Sequence, residues 1–428
     1  MEKNRNFKFI DLFCGIGGFH QAMSNLGGKC VYACDINAAC REVYKNNFCP
    51  NEEFFVGSDI KKAVKENCIP KFDVLCGGFP CQTFSKAGKR HGFKIIEDEN
   101  GVVKDDRGQL FYRIIDILNQ HPECRFVILE NVRNLADNKK NWQIVCNELK
   151  NLGFIITEEP IIESPHHFGV PQIRDRVYIL GIKKEYLDRR RKLPKGYITR
   201  DALAIDNYLE KCPENCIDYI IDEEVDKKYF LNDELSELLD IWEEFKDNIV
   251  GIGTPFWIHK AGIGIDTREE FTNDPEIGFN DMPHWKKLLV LKSRVMYENN
   301  RKFIDEWVKN HHMQDRILLH QKFEWNVGKD CQSIKEGIIQ IRQSGVRVKR
   351  PNYFPSLVAM SNTPIIWDKK RNLYRYITPK EAAKLQSFDE NYKFSEIDSV
   401  TYRQLGNSVN VKLIEIFAKE LFKLGKQK

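Results

Sequence analysis

The sequence predicts an α/β fold, a doubly wound sheet interrupted by a smaller, irregular inserted domain. Three observations carry that expectation. Short apolar runs alternate with helix-period segments over residues 1–182, the alternation then stops, and regular helices return after Ile377. Size agrees: 428 residues are too many for one ordinary core, and 42% apolar residues with 26 glycines is a normal globular composition.

Strands are expected at 8–13, 30–35, 53–56, 72–76, 126–129 and 177–182. The clearest helix between them is 107–120, where Leu110, Phe111, Ile114, Ile115 and Leu118 form one apolar stripe and Pro122 ends it. The charged run 183–195, KKEYLDRRRKLPK, reads as a domain boundary. From there to about Pro355 no steady alternation survives, although the stretch between Trp285 and Trp307 reads as an amphipathic helical pair. Thr378-Pro379-Lys380-Glu381 is a capping box with proline at the first helical position. A last helix from Val409 repeats apolar residues at Leu413, Ile414, Phe417, Leu421 and Phe422. The expected domains are therefore 1–182, an insertion at 183–355, and a return segment at 356–428 that completes the first.

Charge excludes little. Sixty-six basic against 62 acidic residues give +4, so placement rather than net charge bears on a nucleic-acid partner. No window approaches 18 uncharged apolar residues, so no membrane partner is expected. The N-terminus enters a strand-like run without a signal-peptide core, which points to a cytoplasmic protein. Of thirteen cysteines, ten precede residue 150, mostly inside apolar runs, and read as small buried hydrophobes. Cys212 and Cys216 form a lone CxxxC without a second half, so no metal site is expected.

Chemistry concentrates where strands end. DLFCGIGG, Asp11 to Gly18, puts closely spaced glycines between the first strand and a helix, which suits either packing or backbone approach to a cofactor. Asp35 ends the second strand, where a carboxylate commonly takes ribose hydroxyls. Together they point to a nucleoside-bearing cofactor, and the GxGG spacing favours S-adenosylmethionine over a pyrophosphate. GGFPCQTFS, Gly77 to Ser85, places Cys81 just past a strand, either as one more buried thiol or as a reactive one. The long charged loop after it suits a mobile or functional element. Glu130-Asn131-Val132 brings an acid out of an apolar strand beside it. Alternation would put Gln172, Arg174 and Arg176 on one face, aimed at a polar ligand or salt-bridged at a sheet edge. Gly406-Asn-Ser-Val409 caps the last helix.

The ordered set DLFCGIGGF, GGFPCQTFS, LENV, QIRDR and RQLGNSV resembles the cytosine-C5 DNA methyltransferases of bacterial restriction–modification systems. The resemblance covers residues 8–182 and about 356–428; the middle corresponds to the family's variable target recognition region. It implies a Rossmann-like S-adenosylmethionine-dependent domain and methylation of a cytosine flipped out of duplex DNA. Cys81 would add to cytosine C6, Glu130 would serve N3, and Arg176 with Arg174 would stabilise the ring oxygen. The cofactor would meet Phe13, Gly15, Gly17, Gly18, Asp35, Ile36, Asp59, Ile60, Gly78, Leu110, Asn407 and Val409. DNA and the target base would meet Pro80, Gln82, Ser85, Asn131, Gln172 and Arg107. The family's usual aromatic residue beside the ribose acid is Ile36 here, the acid itself is shorter than glutamate, and 94–104 looks inserted.

Basic clusters at Arg189, Arg190, Arg191 and Lys192, and at Arg342, Arg347, Lys349 and Arg350, suit phosphate contacts; the first is equally a solvated linker. Base readers are expected within 344–350 and 356–363. The expected protein is a monomer on double-stranded DNA in a bacterial cytoplasm, nucleoid-associated when bound and paired with a cognate endonuclease. An RNA-directed relative, a silent DNA-binding regulator and a nicotinamide oxidoreductase stay open, separable by methyl acceptor, by Cys81→Ala and by cofactor titration.

Overall fold

The computed structural model describes residues 6–49, 56–80, 93, 96–97, 103–105, 107–188, 190–191, 193, 195–249, 252, 255–328, 331–357 and 363–426. The chain forms two compact units: 1–213 with 355–359 and 379–428, and 214–354 with 360–378.

The first unit begins β1 (Phe7–Leu12), α1 (Gly18–Asn25), β2 (Gly28–Cys34), α2 (Ala38–Phe48), β3 (Val56–Gly57), α3 (Ile60–Glu66) and β4 (Val74–Gly78). A small antiparallel pair, β5 (Ile96–Glu97) and β6 (Val103–Asp105), precedes α4 (Leu110–Gln120). Then come β7 (Phe126–Val132), α5 (Asn134–Asp137), α6 (Lys139–Asn151), β8 (Phe154–Ile156), β9 (Ile161–Glu163) and β10 (Arg176–Lys183). The main sheet runs β3-β2-β1-β4-β7-β10-β8, with β9 also on β10. The first five strands are parallel, so the order reverses between β1 and β4, and ligands of such sheets bind outside the carboxyl ends there.

β10 is antiparallel to β7, so its first residue, Arg176, lies opposite Val132 at that same carboxyl edge. Two strands of this sheet escape the sequence pattern, β8 and β9, with three residues each, too few to show alternation, as does the short pair β5–β6. The boundary also moves. Ile198 donates to the Ile156 carbonyl at 2.9 Å and Glu210 to that of His167 at 2.9 Å, while Ile198, Leu203 and Ile205 are buried. Residues 183–213 thus group with the first unit, and the boundary expected at 183 falls at 213 instead.

The second unit holds α7 (Cys216–Ile220), α8 (Asp233–Asn248), β11 (Phe256–Trp257), α9 (Arg268–Asn273), α10 (His284–Asn299) and α11 (Arg301–Asn310). β12 (Lys322–Asn326), β13 (Ile338–Arg342), β14 (Gly345–Lys349), β15 (Ile365–Asp368) and β16 (Leu373–Tyr376) complete it. Its sheet, in the order β11-β12-β14-β13-β15-β16, corrects the expectation of an irregular insertion. Strands of two to five residues, scattered between helices and loops, leave little periodicity to read. The unit also runs past 355, because β15 and β16 pair after it. Its core gathers Trp242, Phe245, Trp307 and Phe323, with Trp242 stacked on Phe323 at 4.9 Å. The helical pair is present as α10 and α11, with Trp307 buried and Trp285 exposed.

The return segment supplies α12 (Pro379–Lys384), α13 (Asp398–Asn407) and α14 (Val411–Lys423). The last helix starts at Val411, not Val409, because Asn410 caps it by accepting from the Leu413 N–H. Its expected stripe is buried: Phe417 packs on Tyr178 at 4.6 Å, and Phe422 on Phe126 at 4.8 Å.

Candidate active site

The chain leaves β1 in a left-handed turn at Phe13, φ 55°, and Gly15 and Gly17 are also left-handed, at 53° and 83°. The Cys14 N–H donates to the Cys34 carbonyl at 2.9 Å, tying this turn to the end of β2. Asp35 follows at once. Its carboxylate accepts from the Gly15 N–H at 2.9 Å and the Asn37 N–H at 2.7 Å, so the acid and the glycine turn fix one another. Burial pushes the Asp35 carboxyl up, against those two N–H groups and Arg41.

Open space lies where a Cβ on Gly15 would stand, and Gly17 caps α1 without a side-chain acceptor, leaving, among the described residues, the Gly18 and Phe19 N–H groups for a ligand. Beside Asp35, the Ile36 side chain is 84% exposed, a bare aliphatic face. Asp59 caps α3 through the Lys61 N–H at 2.8 Å, and Ile60 is buried behind it. Leu110 is half-buried and Asn407 exposed. A nucleoside with a charged amino-acid tail fits these donors and this apolar face.

Gly18 has a second reason to be glycine. A Cβ there would sit 2.8 Å from Val409 Cγ2 and 2.9 Å from Ser408 Oγ, so α1 and the return segment meet closely. Gly18→Ala is expected to cost roughly 1–3 kcal/mol, the usual overpacking range, read as a lower melting temperature. An unchanged melting temperature would contradict the close packing.

The opposite end of the crevice belongs to β4, β7 and β10. Gly78 on β4 is in register with Glu130 on β7, and a Cβ on Gly78 would lie 3.4 Å from Glu130 Oε2. Arg176 Nε meets Glu130 Oε1 at 2.9 Å. Burial raises the Glu130 carboxyl, and Arg176 and then Arg174 pull it back. Asn131 is buried and donates its amide to the Phe79 carbonyl at 3.0 Å, so it pins the backbone entering Pro80 instead of facing outward. Cys81, Gln82 and Ser85 lie outside the described residues, as do the Arg107 side chain, Arg189, Lys192 and 358–362.

Arg174 and Gln172 differ from the sequence expectation. Both precede β10, so strand alternation does not apply to them. Arg174 is buried, and its guanidinium donates to the carbonyls of Gly406 at 2.9 Å, Ser408 at 2.7 Å and Leu357 at 3.3 Å, and to Ser356 Oγ at 3.2 Å. It is a staple for the return segment. Gln172 is buried likewise, accepting from Gln386 at 3.0 Å. Neither partner could be read from the sequence, because each lies hundreds of residues away.

Asp11, beneath the glycine turn, was not singled out for chemistry and is fully buried. Burial holds its carboxyl well above the usual range despite the His20 N–H and the Tyr44 hydroxyl. A raised folded-state pKa gives stability that is complete below about pH 4 and lost as pH rises through the folded value. Asp11→Asn is therefore expected to gain stability relative to wild type between pH 5 and pH 8, by up to about 1.4 kcal/mol per pH unit. Melting curves at both pH values check this; a constant difference would refute it.

A glycine turn after β1 and a ribose-type acid after β2, with a buried acid–arginine pair at the end of β7, define an α/β transferase that holds a nucleoside cofactor. The model of the C-5 cytosine-specific DNA methylase family matches residues 7–423. The chain belongs to that family and is a DNA (cytosine-5-)-methyltransferase with S-adenosylmethionine as methyl donor. It is 27% identical to the Type II methyltransferase M.AluI of Cellulosimicrobium cellulans, over 97% of this chain and 92% of that protein. With the Type II methyltransferase M.HpaII of Haemophilus parainfluenzae it shares 41% identity over 42% of this chain and 46% of that one. A crystal structure of a putative DNA modification methyltransferase encoded within an E. coli prophage matches with a TM-score of 0.54 and 20% identity, over 97% and 99% of the two chains. That likeness supports the fold. The family sets aside the nicotinamide alternative.

Proposed function

We propose that the crevice at the carboxyl ends of β1, β4 and β7 performs the transfer, with Cys81 as nucleophile, Glu130 as proton donor and Arg176 as its partner. The observation that carries this reading is the buried Glu130–Arg176 pair beside Gly78, three residues before Cys81. Cytosine C5 is a weak nucleophile. Addition of the Cys81 thiolate to C6 places an electron pair on the ring, and a protonated Glu130 neutralises it by giving its proton to N3. Arg176 has N–H groups beyond the one spent on Glu130, and these stabilise the ring oxygen. When bound, S-adenosylmethionine supplies the methyl group that C5 accepts. Loss of the C5 proton to a base then expels Cys81 as thiolate, and return of the N3 proton to Glu130 restores the neutral ring and the acid.

Gly15, Asp35 and Ile36 would hold the cofactor's amino-acid tail, ribose and adenine, with Phe13, Gly17, Asp59, Ile60, Leu110, Asn407 and Val409 around them. Arg174, Asn131 and Gln172 are assigned positioning roles, on the hydrogen bonds described above. The second unit is read as the target recognition domain. The protein is read as a monomer in a bacterial cytoplasm that protects DNA from a cognate endonuclease, in keeping with its Type II relatives. Purified protein, duplex DNA and methyl-labelled cofactor should give label in DNA, and bisulfite sequencing of DNA from expressing cells should give one protected sequence. Label in transfer RNA alone would overturn the reading.

A further inference from the structure

The chain builds a walled cavity where α11 ends. His312 is left-handed, φ 50°, and residues 311–320 fold back over the start of α8. Two contacts fasten that turn. Trp242 Nε1 on α8 donates to the His320 carbonyl at 3.1 Å, and Arg316 pairs with Glu237 at 2.8 Å. Met313, within the turn, is buried in the core of the second unit. The cavity between turn and helix measures about 440 Å³, and small-molecule sites usually measure roughly 300–1,000 Å³.

Its walls carry three carboxylates, Glu234, Glu237 and Asp315, against one permanent cation, Arg316. Arg316 is already engaged with Glu237. Asp315 faces the exposed His312 at 3.7 Å, and Glu234 has no ion pair among the described residues. Two carboxylates are thus left without a permanent cation. An acidic wall alone would be a solvated surface, but His320 is built into this one. It is 5% exposed, it lines the cavity, and its ring makes no hydrogen bond among the described residues. Burial lowers the imidazole, with Arg316 acting alongside and Glu234 against, so the ring is largely neutral at pH 7 and offers one acceptor nitrogen. Buried polar groups are normally bonded, so an N–H donor from a ligand completes it. Ile317, 58% exposed, adds an aliphatic wall.

A metal ion is a poor match, because among the described residues no three His, Cys, Asp or Glu side chains converge as its ligands. Separate carboxylates, a neutral acceptor and an aliphatic wall match ammonium groups strung on a carbon chain. We propose that this cavity is a binding site for an aliphatic polyamine, a cation of two or more ammonium groups joined by methylenes. One ammonium pairs with Glu234 and donates to His320, a second pairs with Asp315, and the methylenes lie on Ile317. The site lies wholly within the second unit and does not rest on the transfer chemistry proposed above.

Calorimetric titration of the full chain with spermidine tests the site, at about 0.15 M salt to screen diffuse attraction. One saturable site is expected. Glu234→Gln and Asp315→Asn should each weaken it by at least about tenfold, the effect of losing one charged hydrogen bond. Both residues are exposed, so neither variant disturbs the core. Butylamine, with a single ammonium, should bind the wild type at least about tenfold more weakly than spermidine. In the unaltered protein the His320 ring signals in the NMR spectrum should move along the same saturation curve. Absence of a saturable site would overturn the proposal, as would wild-type affinity in both variants. Saturable binding that leaves the His320 signals in place would put the cation elsewhere and overturn it equally.

Discussion

Replacing Glu130 by glutamine is expected to lower kcat for methyl transfer by about 10²–10⁴-fold, the usual contribution of a positioned general acid. Glutamine keeps a hydrogen-bond donor near N3 but has no proton to give. The pH profile separates this from a structural effect. Burial raises the Glu130 carboxyl against Arg176 and Arg174, and the protonated form is the active acid. Wild-type kcat should therefore fall as pH rises through that value, and the glutamine variant should lose this alkaline limb. Breaking a buried pair costs about 3–5 kcal/mol, so the comparison is made below the variant's own melting temperature. A variant with wild-type kcat, or with the alkaline limb intact, would remove Glu130 from the chemistry.

Cys81→Ala should abolish turnover, by at least about 10⁴-fold, because no other group can make the C6 bond. The bond itself can be trapped. Cytosine carrying fluorine at C5 cannot release a proton from that carbon, so the enzyme should stay attached to such a duplex through denaturing electrophoresis. The alanine variant should bind the duplex and leave nothing attached. A trapped complex with Cys81→Ala would assign the nucleophile to another thiol. Most other described cysteines are poor candidates, being buried; burial raises the Cys14 and Cys76 thiols well above the ordinary range.

The sequence yields the parts of this site that depend on local pattern. Strand ends, glycine turns and the Glu130 position follow from period-two and helix-period runs, since each involves neighbours in the chain. Arg176 was readable as a site residue, but its proximity to Glu130 depends on β10 running antiparallel, a property of the sheet. Arg174, Gln172 and Asn131 looked like ligand contacts because polar residues near strand ends usually are. Their side chains are buried on carbonyl and amide partners that only the folded chain brings near. The second sheet was invisible for a related reason: strands this short carry too few alternations, and their pairing order is non-sequential.

The position of α14 bears on biosynthesis. Phe417 covers Tyr178 and Phe422 covers Phe126, so the first sheet keeps an uncovered apolar patch until α14 leaves the ribosome. At roughly 5–20 residues per second the nascent sheet waits for tens of seconds with that patch exposed. Throughout that interval a chaperone has a defined surface to hold. A ribosome that stalls short of α14 releases a half-covered sheet, a substrate for proteolysis.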